Sequence, residues 1–347
     1  MMMGQERDLL GIIEAAYVLE GDDADWLTGL AESVVANVPF RVQGVTVNAY
    51  DISDPERPQL SEGFSCAAPD TARLLHKWGE LVKHFETDPA LTRVGYGALD
   101  EGLTRDIPVR GRDRLDAVLR RLEMGDVYGV NARNPSGKGV LVGICLPPRF
   151  APIRANTRQA FARIARHIAA AYRLRKRLAD GRSSADSLAR ADAVIGTNGT
   201  VEHATGDARS DQGVEALRRA VVNVSSARGH MRHEDPNRAI ATWKALVDAR
   251  WSLVDHFERD GSQYIVAHRN DCQTSPIARL TLREQQVVVL AAMGYPNKAI
   301  AYDLGIATST VGVLVSRALK RLGLRSRREL ATLYPQPPRP GRGTSSS

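Results

Sequence analysis

Between Asn297 and Leu322 the chain states a helical period twice, with a single break between the two statements. Ile300, Ala301 and Leu304 share one face of a first short helix, for which Asn297 is the expected N-cap. Gly305 follows as the expected C′ residue, where the chain must turn sharply. A second helix then runs from near Thr308 to Leu322, with Val311, Val315, Ala318, Leu319 and Leu322 in one apolar stripe. Ala301 sits where the two helices cross, and a larger side chain there holds the backbones apart. This spacing is that of a helix-turn-helix. Ser309, Val313, Ser316, Arg317 and Lys320 point away from the stripe, a small, polar and basic face suited to a DNA major groove. An ordinary helical hairpin with a solvated face fits the same spacing.

The distribution of charge bears on both readings. The chain has 347 residues and a net charge of +7. From Ile277 to Ser347 there are eleven Lys and Arg against three Asp and Glu, leaving 36 basic and 37 acidic residues elsewhere. The basic excess therefore belongs to the C-terminal end, as phosphate neutralisation requires.

The whole stretch from Leu280 to Leu330 reads as four short helices, and it resembles the LuxR-type (GerE-like) DNA-binding domain over about sixty residues. The matching pieces are Leu280-Thr281-x-Arg283-Glu284, Gly294, Asn297-Lys298-x-Ile300-Ala301-x-x-Leu304-Gly305-Ile306, Thr310-Val311 and Leu322-Gly323-Leu324-Arg325-Ser326-Arg327. Ala307 stands where the family usually has a Ser cap, so Thr308 or Ser309 is expected to cap. Gly312 and Ser316 stand where the family often has long basic or polar side chains. The resemblance implies a transcriptional regulator binding double-stranded DNA as a homodimer on a roughly two-fold site, with the fourth helix (Ser326–Leu333) helping the dimer contact. Thr308, Ser309 and Thr310 would lie at the helix start near phosphate. Ser309, Gly312, Val313 and Ser316 would approach base edges, and Asn297, Lys298, Arg317 and Lys320 would contact or fix register on the backbone. Thr310-Val311 through Ser316-Arg317-Ala318 to Leu322 also resembles the −35-reading helix of small sigma factors, which makes RNA polymerase an alternative partner.

The rest of the chain predicts an α+β architecture. Glu6–Leu19 and Asp23–Ala36 read as helices, the second capped by Asp23. Val42–Tyr50 alternates as a strand, Asp51–Glu62 reads as a polar loop, and Thr71–Phe85 and Asp113–Met124 as helices. Asp126–Ala132 and Gly139–Leu146 flank turn residues and predict an antiparallel hairpin. The Ser136-Gly137-Lys138 triplet lacks phosphate-loop spacing and leads into a strand. Ala155–Ala179 is the longest helix. Its Phe161, Ile164, Ile168, Ala171 and Leu178 approach a heptad seam, which fits either pairing with a second copy or packing on the chain's own sheet. Its Arg173–Arg177 end is almost wholly basic. The order of elements over about 24–179 resembles a GAF-like sensory domain.

Gly181–Ser187 reads as a linker. Asp192–His203 then reads as strand, Asn198-Gly199 turn, strand, followed by helices Val214–Ala227 and Pro236–Ala249 and strands Trp251–Glu258 and Gln263–His268 around Asp260-Gly261. This unit resembles a PAS domain in outline. The expected divisions are a GAF-like sensory domain with its long signalling helix at 1–180, a PAS-like unit at 188–270, the DNA-binding domain at 277–334 and a disordered tail at 335–347.

Enzymatic signals are thin. The eight His are dispersed, and His230 with His233 lacks a partner set for a metal. No GxSxG, HExxH or strand-linked GxGxxG occurs. Cys66, Cys145 and Cys272 are scattered, which fits a reducing cytoplasm without a disulfide framework; Cys66 reads as a redox thiol or a small buried hydrophobe. No apolar run approaches a membrane span. The expectation is a cytoplasmic, non-enzymatic regulator without cofactor or metal, answering an unknown small-molecule or protein signal. A ligand-binding or enzymatic sensor with a secondary DNA module is the other class. The N-terminal half carries neither the phosphate-receiver pattern nor the aromatic-acidic motif of acyl-homoserine-lactone binders.

Overall fold

The computed structural model describes residues 8–52, 58–86, 92, 95–96, 101–107, 112–133, 137–179, 191–245, 247, 251–259, 262–269, 280–292, 296–304 and 306–330. Helices and two antiparallel sheets alternate along the chain, an α+β arrangement. The first sheet contains β1 (Gly44–Asp51), β2 (Gln59–Ala67), β3 (Glu101–Leu103), β4 (Asp126–Arg133) and β5 (Lys138–Leu146), in the order β2-β1-β5-β4-β3. The expected hairpin is β4–β5, in register from Asp126 opposite Leu146 to Arg133 opposite Gly139.

Both faces of this sheet are covered. Val45, Val47 and Ala49 join Val130, Val142 and Ile144 beneath α1 (Leu9–Ala16), α2 (Asp23–Asn37) and α5 (Ala155–Ala179). Tyr50, Val127, Leu141 and Cys145 face α3 (Thr71–Glu86) and α4 (Arg112–Arg121). The polar half of the β1 alternation is therefore turned away from water: Thr46 and Asn48 are fully buried. Protein acceptors replace the solvent, since Asn48 Nδ2 donates to the Leu60 carbonyl at 2.6 Å and Thr46 Oγ1 to that of Gly143 at 3.3 Å. Gly143 is needed for this layer, because a Cβ there would stand 2.7 Å from the Trp78 ring.

Several sequence expectations are corrected here. The stretch expected to be a loop to Glu62 contains the start of β2, which lies at a sheet edge, as does the three-residue β3. An edge strand pairs on one side only and needs no clean apolar alternation, so its sequence signal is weak. The cap of α2 is Asp22, whose carboxylate accepts from the Asp25 amide at 2.8 Å, one residue before the expected Asp23.

The seam on α5 is used inside the chain. Phe161, Ile164, Ile168 and Ala171 are 0–1% exposed and packed in the core, while the Leu178 side chain lies outside the described residues. Of the two readings of that helix, packing on the chain's own sheet is the one observed. Nor is its basic end simply solvated. Arg175 is 4% exposed in its side chain and donates to the carbonyls of Val18, Glu20, Gly21 and Asp22 at 2.9–3.3 Å, and to Asp23 Oδ1 at 3.3 Å. Lys176 pairs with the same Asp23 at 2.8 Å. These bonds close the turn between α1 and α2.

The second sheet holds β6 (Ala193–Gly196), β7 (Val201–Ala204), β8 (Trp251–Arg259) and β9 (Ser262–Arg269), in the order β7-β6-β9-β8. The Asn198-Gly199 turn is present, with Gly199 at φ +84°; Asp260-Gly261 and 181–187 lie outside the described residues. Between the strand pairs come α6 (Asp211–Arg228), α7 (Met231–Glu234) and α8 (Pro236–Thr242). The helix expected to continue to Ala249 ends at Thr242, because Trp243 leaves helical geometry and turns inward at 2% exposure. Trp243 stacks on Tyr17 at 6.2 Å, and its carbonyl accepts from His167 Nε2 at 2.9 Å. The carbonyl can only accept, so Nε2 carries the proton and Nδ1 faces the Tyr17 hydroxyl at 3.5 Å. Arg232 adds a polar clamp, reaching both oxygens of Glu14 at 2.9–3.0 Å and Asp8 at 2.7 Å. The second sheet unit is thus docked onto α1 and α5 through one shared core.

Candidate nucleic-acid interface

Among the described residues the C-terminal unit holds three helices, α9 (Leu282–Ala292), α10 (Asn297–Leu304) and α11 (Thr308–Leu322), followed by a 3₁₀ turn at Arg327–Glu329. A capping box starts α9. Thr281 Oγ1 accepts from the Glu284 amide at 3.3 Å, and Glu284 Oε2 accepts from the Thr281 amide at 2.8 Å. Ile300, Ala301, Val311, Val315 and Ala318 are buried together with Val287, Val288, Ala291 and Leu330. The two apolar stripes therefore meet as their spacing requires, and Ala301 is 6% exposed.

The ends of the helices depart in detail from expectation. The Pro296 carbonyl accepts from the Ile300 amide at 3.1 Å, so the helix is already begun at Asn297, which is its first residue rather than its cap. Asn297 Oδ1 instead accepts from Arg327 Nη1 at 2.6 Å, tying α10 to the turn that follows α11. At the other end of α10 the Ile306 amide reaches back to the Ala301 carbonyl at 3.0 Å; Gly294 and Gly305 lie outside the described residues. Neither Thr308 nor Ser309 caps α11. Its N-cap residue is Ala307, with no side-chain cap bond. Gly323 closes the helix in the left-handed region at φ +69°, with its amide on the Lys320 carbonyl and that of Leu324 on Leu319. Of the expected fourth helix, the described part is the 3₁₀ turn and Leu330.

The outward face of α11 is open. Thr308, Ser309, Thr310, Ser316, Arg317 and Lys320 are exposed, Val313 is 49% exposed, and Gly312 is half-buried. Lys298 at the start of α10 is exposed as well. Among the described residues Lys298, Arg317 and Lys320 make no ion pair. Arg321, one position beyond Lys320, behaves differently: its Nη1 lies 2.5 Å from Oε2 of Glu284, itself 3% exposed in its side chain. Glu284 thus caps one helix and holds another. Sequence reasoning did not assign this pairing, although the Thr-x-x-Glu spacing marks the carboxylate as helix-capping. The structure sorts these basic residues by partner: Arg321 and Arg327 are held by Glu284 and Asn297 and tie the unit together, while Lys298, Arg317 and Lys320 stay exposed without an ion pair among the described residues.

A second feature lies on the α3 side of the first sheet. A cavity that opens to solvent is lined mainly by apolar side chains of Trp78, Leu81, Phe85, Val127 and Leu141, with Asn131 at its wall. Trp78 is 5% exposed, and its indole Nε1 has no hydrogen-bond partner among the described residues. Burial pushes the Cys66 thiol up and that of Cys145 up to about 12, away from the thiolate that redox chemistry needs; Cys272 lies outside the described residues. Among the described residues no group of three or more His, Cys, Asp or Glu could hold a metal, and no helix is long and apolar enough to cross a membrane.

Comparison with known proteins bears on the C-terminal unit. Residues 278–334 match the GerE family, described as bacterial regulatory proteins, luxR family. The nitrate/nitrite response regulator protein NarL of Escherichia coli (strain K12) is 47% identical over 55 residues, 16% of this chain and 26% of that protein. The HTH-type transcriptional regulator MalT of Vibrio campbellii is 29% identical over 103 residues, 28% of this chain and 11% of that protein. The chain thus spans about a tenth to a quarter of the length of these relatives. A crystal structure of Escherichia coli SdiA aligns over 84% of this chain and 82% of its own at 10% identity, with a TM-score of 0.25, too low to support a fold comparison. The exposed α11 face, the buried stripes and the family match coincide on the same residues: positions 278–334 are a helix-turn-helix domain of the luxR family of bacterial regulatory proteins.

Proposed function

We propose that this chain is a DNA-binding transcriptional regulator in which residues 1–270 sense a signal and residues 277–334 read an operator. The observation that carries the reading is the α11 face, where exposed small and basic residues stand on a packed three-helix unit. Lys298, Arg317 and Lys320 neutralise phosphates, the first turn of α11 at Thr308–Thr310 approaches backbone, and Ser309, Gly312, Val313 and Ser316 line the groove. Asn297 acts by holding Arg327 rather than by touching DNA. The operator is approximately two-fold, bound by two copies whose contact involves the segment after Ser326; the α5 seam is already occupied. Residues 1–180 serve as a GAF-like and 188–270 as a PAS-like sensory unit. The cavity beside Trp78 supports a small, largely apolar molecule as the signal in preference to a protein.

The test is selection of genomic fragments by the full chain at two salt concentrations. An enriched palindromic motif with salt-dependent affinity is expected; no retention of any fragment at low salt removes the reading. Co-purification with the core of RNA polymerase, without independent DNA binding, would favour a sigma-like role. Turnover of a small molecule by the full chain would favour an enzymatic sensor.

A further inference from the structure

The composition of the exposed stripe on α11 says what kind of base it can read. Ser309, Val313, Ser316 and Lys320 succeed one another at helical spacing on the outward face. Val313 is the large apolar side chain in that line, and it stands 49% exposed on a helix whose other valines, Val311 and Val315, are 0% and 8% exposed. Burial of Val313 inside the unit would need a rotation of the helix that exposes those two. Its neighbour Gly312 has no side chain, and the nearest atom to a Cβ built there is Asn297 Nδ2 at 3.9 Å. The backbone beside Val313 is therefore bare, and the helix can lie close to whatever faces it.

Guanine is read most often by Arg or Lys donating to O6 and N7. Here the cations of the interface sit at the edges of the stripe, at Lys298, Arg317 and Lys320, where phosphates would be met. The middle of the stripe offers two hydroxyls and a pair of methyl groups. In the major groove thymine alone among the four bases presents a methyl group.

We propose that Val313 packs on the C5 methyl of a thymine in each half-site, with Ser309 and Ser316 over the flanking base pairs, so that the operator is specified at its centre by methyl contact rather than by a guanine-directed fork. This rests on the DNA-binding reading above and names the base class that the same face selects.

Deoxyuridine tests it, because replacing thymine by deoxyuridine removes the methyl and leaves every hydrogen-bonding edge unchanged. Affinity of the full chain is measured on its selected operator with each thymine replaced in turn, for the wild type and for Val313→Ala. The expected result is one symmetry-related thymine position whose replacement weakens wild-type binding about fourfold, the equivalent of one buried methyl(ene). In Val313→Ala the same replacement should change little. Equal wild-type binding with every thymine replaced, or an equal loss in both proteins, overturns the proposal. Salt-dependent DNA binding with no enriched motif overturns it too while leaving the DNA-binding reading intact, and no DNA binding at all overturns both.

Discussion

Helices α5 and α11 both end in basic clusters, and the chain does opposite things with them. On α5, Arg175 and Lys176 follow a strongly apolar face; on α11, Arg317 and Lys320 do the same. Arg175 is drawn inward and uses its guanidinium on four backbone carbonyls and a carboxylate, stacked 5.3 Å from the Trp26 ring. Arg317 and Lys320 stay exposed with no ion pair among the described residues. A run of positive charge is therefore not an interface in itself. It becomes one when the fold leaves its hydrogen-bonding capacity unspent. Even within α11 the rule discriminates, because Arg321 is held by Glu284 while Lys320 is not.

The comparison breaks most visibly at Arg175. Arg175→Ala should lower stability by about 3–5 kcal/mol, since it orphans four carbonyls of the α1–α2 turn and removes one of the two cations on Asp23, leaving Lys176 as its partner. Urea unfolding of the full chain measures it, and a loss below about 1 kcal/mol would mean that the cluster is no more than a surface charge. A pH dependence on the same helix comes next. Burial holds the His167 imidazole down at about 4, against an ordinary value of 6.5. A depressed folded-state value means stability that is present above about 6.5 and lost as the pH falls towards 4. The loss is up to about 3 kcal/mol from this group. Unfolding curves across that window should flatten in His167→Gln relative to wild type; parallel curves would assign the pH dependence elsewhere.

Effects on α11 should be smaller in stability and visible in binding instead. Gly312→Ala is expected to stabilise the helix by about 1 kcal/mol, because the added methyl meets open space apart from Asn297 Nδ2. A lowered midpoint of thermal unfolding would show that the backbone there is not free. Lys320→Ala should change stability by no more than about 0.5 kcal/mol. On DNA it should weaken all sequences alike and reduce the salt slope by about 0.9, one phosphate's worth of counterion release. An unaltered slope would place Lys320 off the DNA and erase the contrast with Arg175.

The C-terminal unit was legible in sequence because its signals are short-range. The stripe from Val311 to Leu322, the small Ala301 and the outward Ser309, Val313, Ser316 and Lys320 all follow from a 3.6-residue period, and the structure places them as that period requires. The helix caps were less legible. The Pro296 carbonyl accepts just ahead of α10, so Asn297 is the first helical residue and not the cap, and Ala307 precedes α11 without a side-chain cap. Several side chains can serve a helix end, and tertiary partners such as Arg327 compete for them. In the N-terminal half, β2 and β3 give weak signals as edge strands, and the polar half of the β1 alternation faces a second buried layer.

From its own residues the chain determined where helices and central strands lie, which face of each is apolar, and which end of the molecule carries the excess charge. Those properties depend on groups within about four positions along a helix or two along a strand. The tertiary structure decided how each surplus group is used: α5 turns its seam to the first sheet, Trp243 stops α8 to cover Tyr17, and Arg175 closes a turn 152–157 residues away. No local pattern encodes such a partner, because its proximity exists only once both sheets are folded and packed.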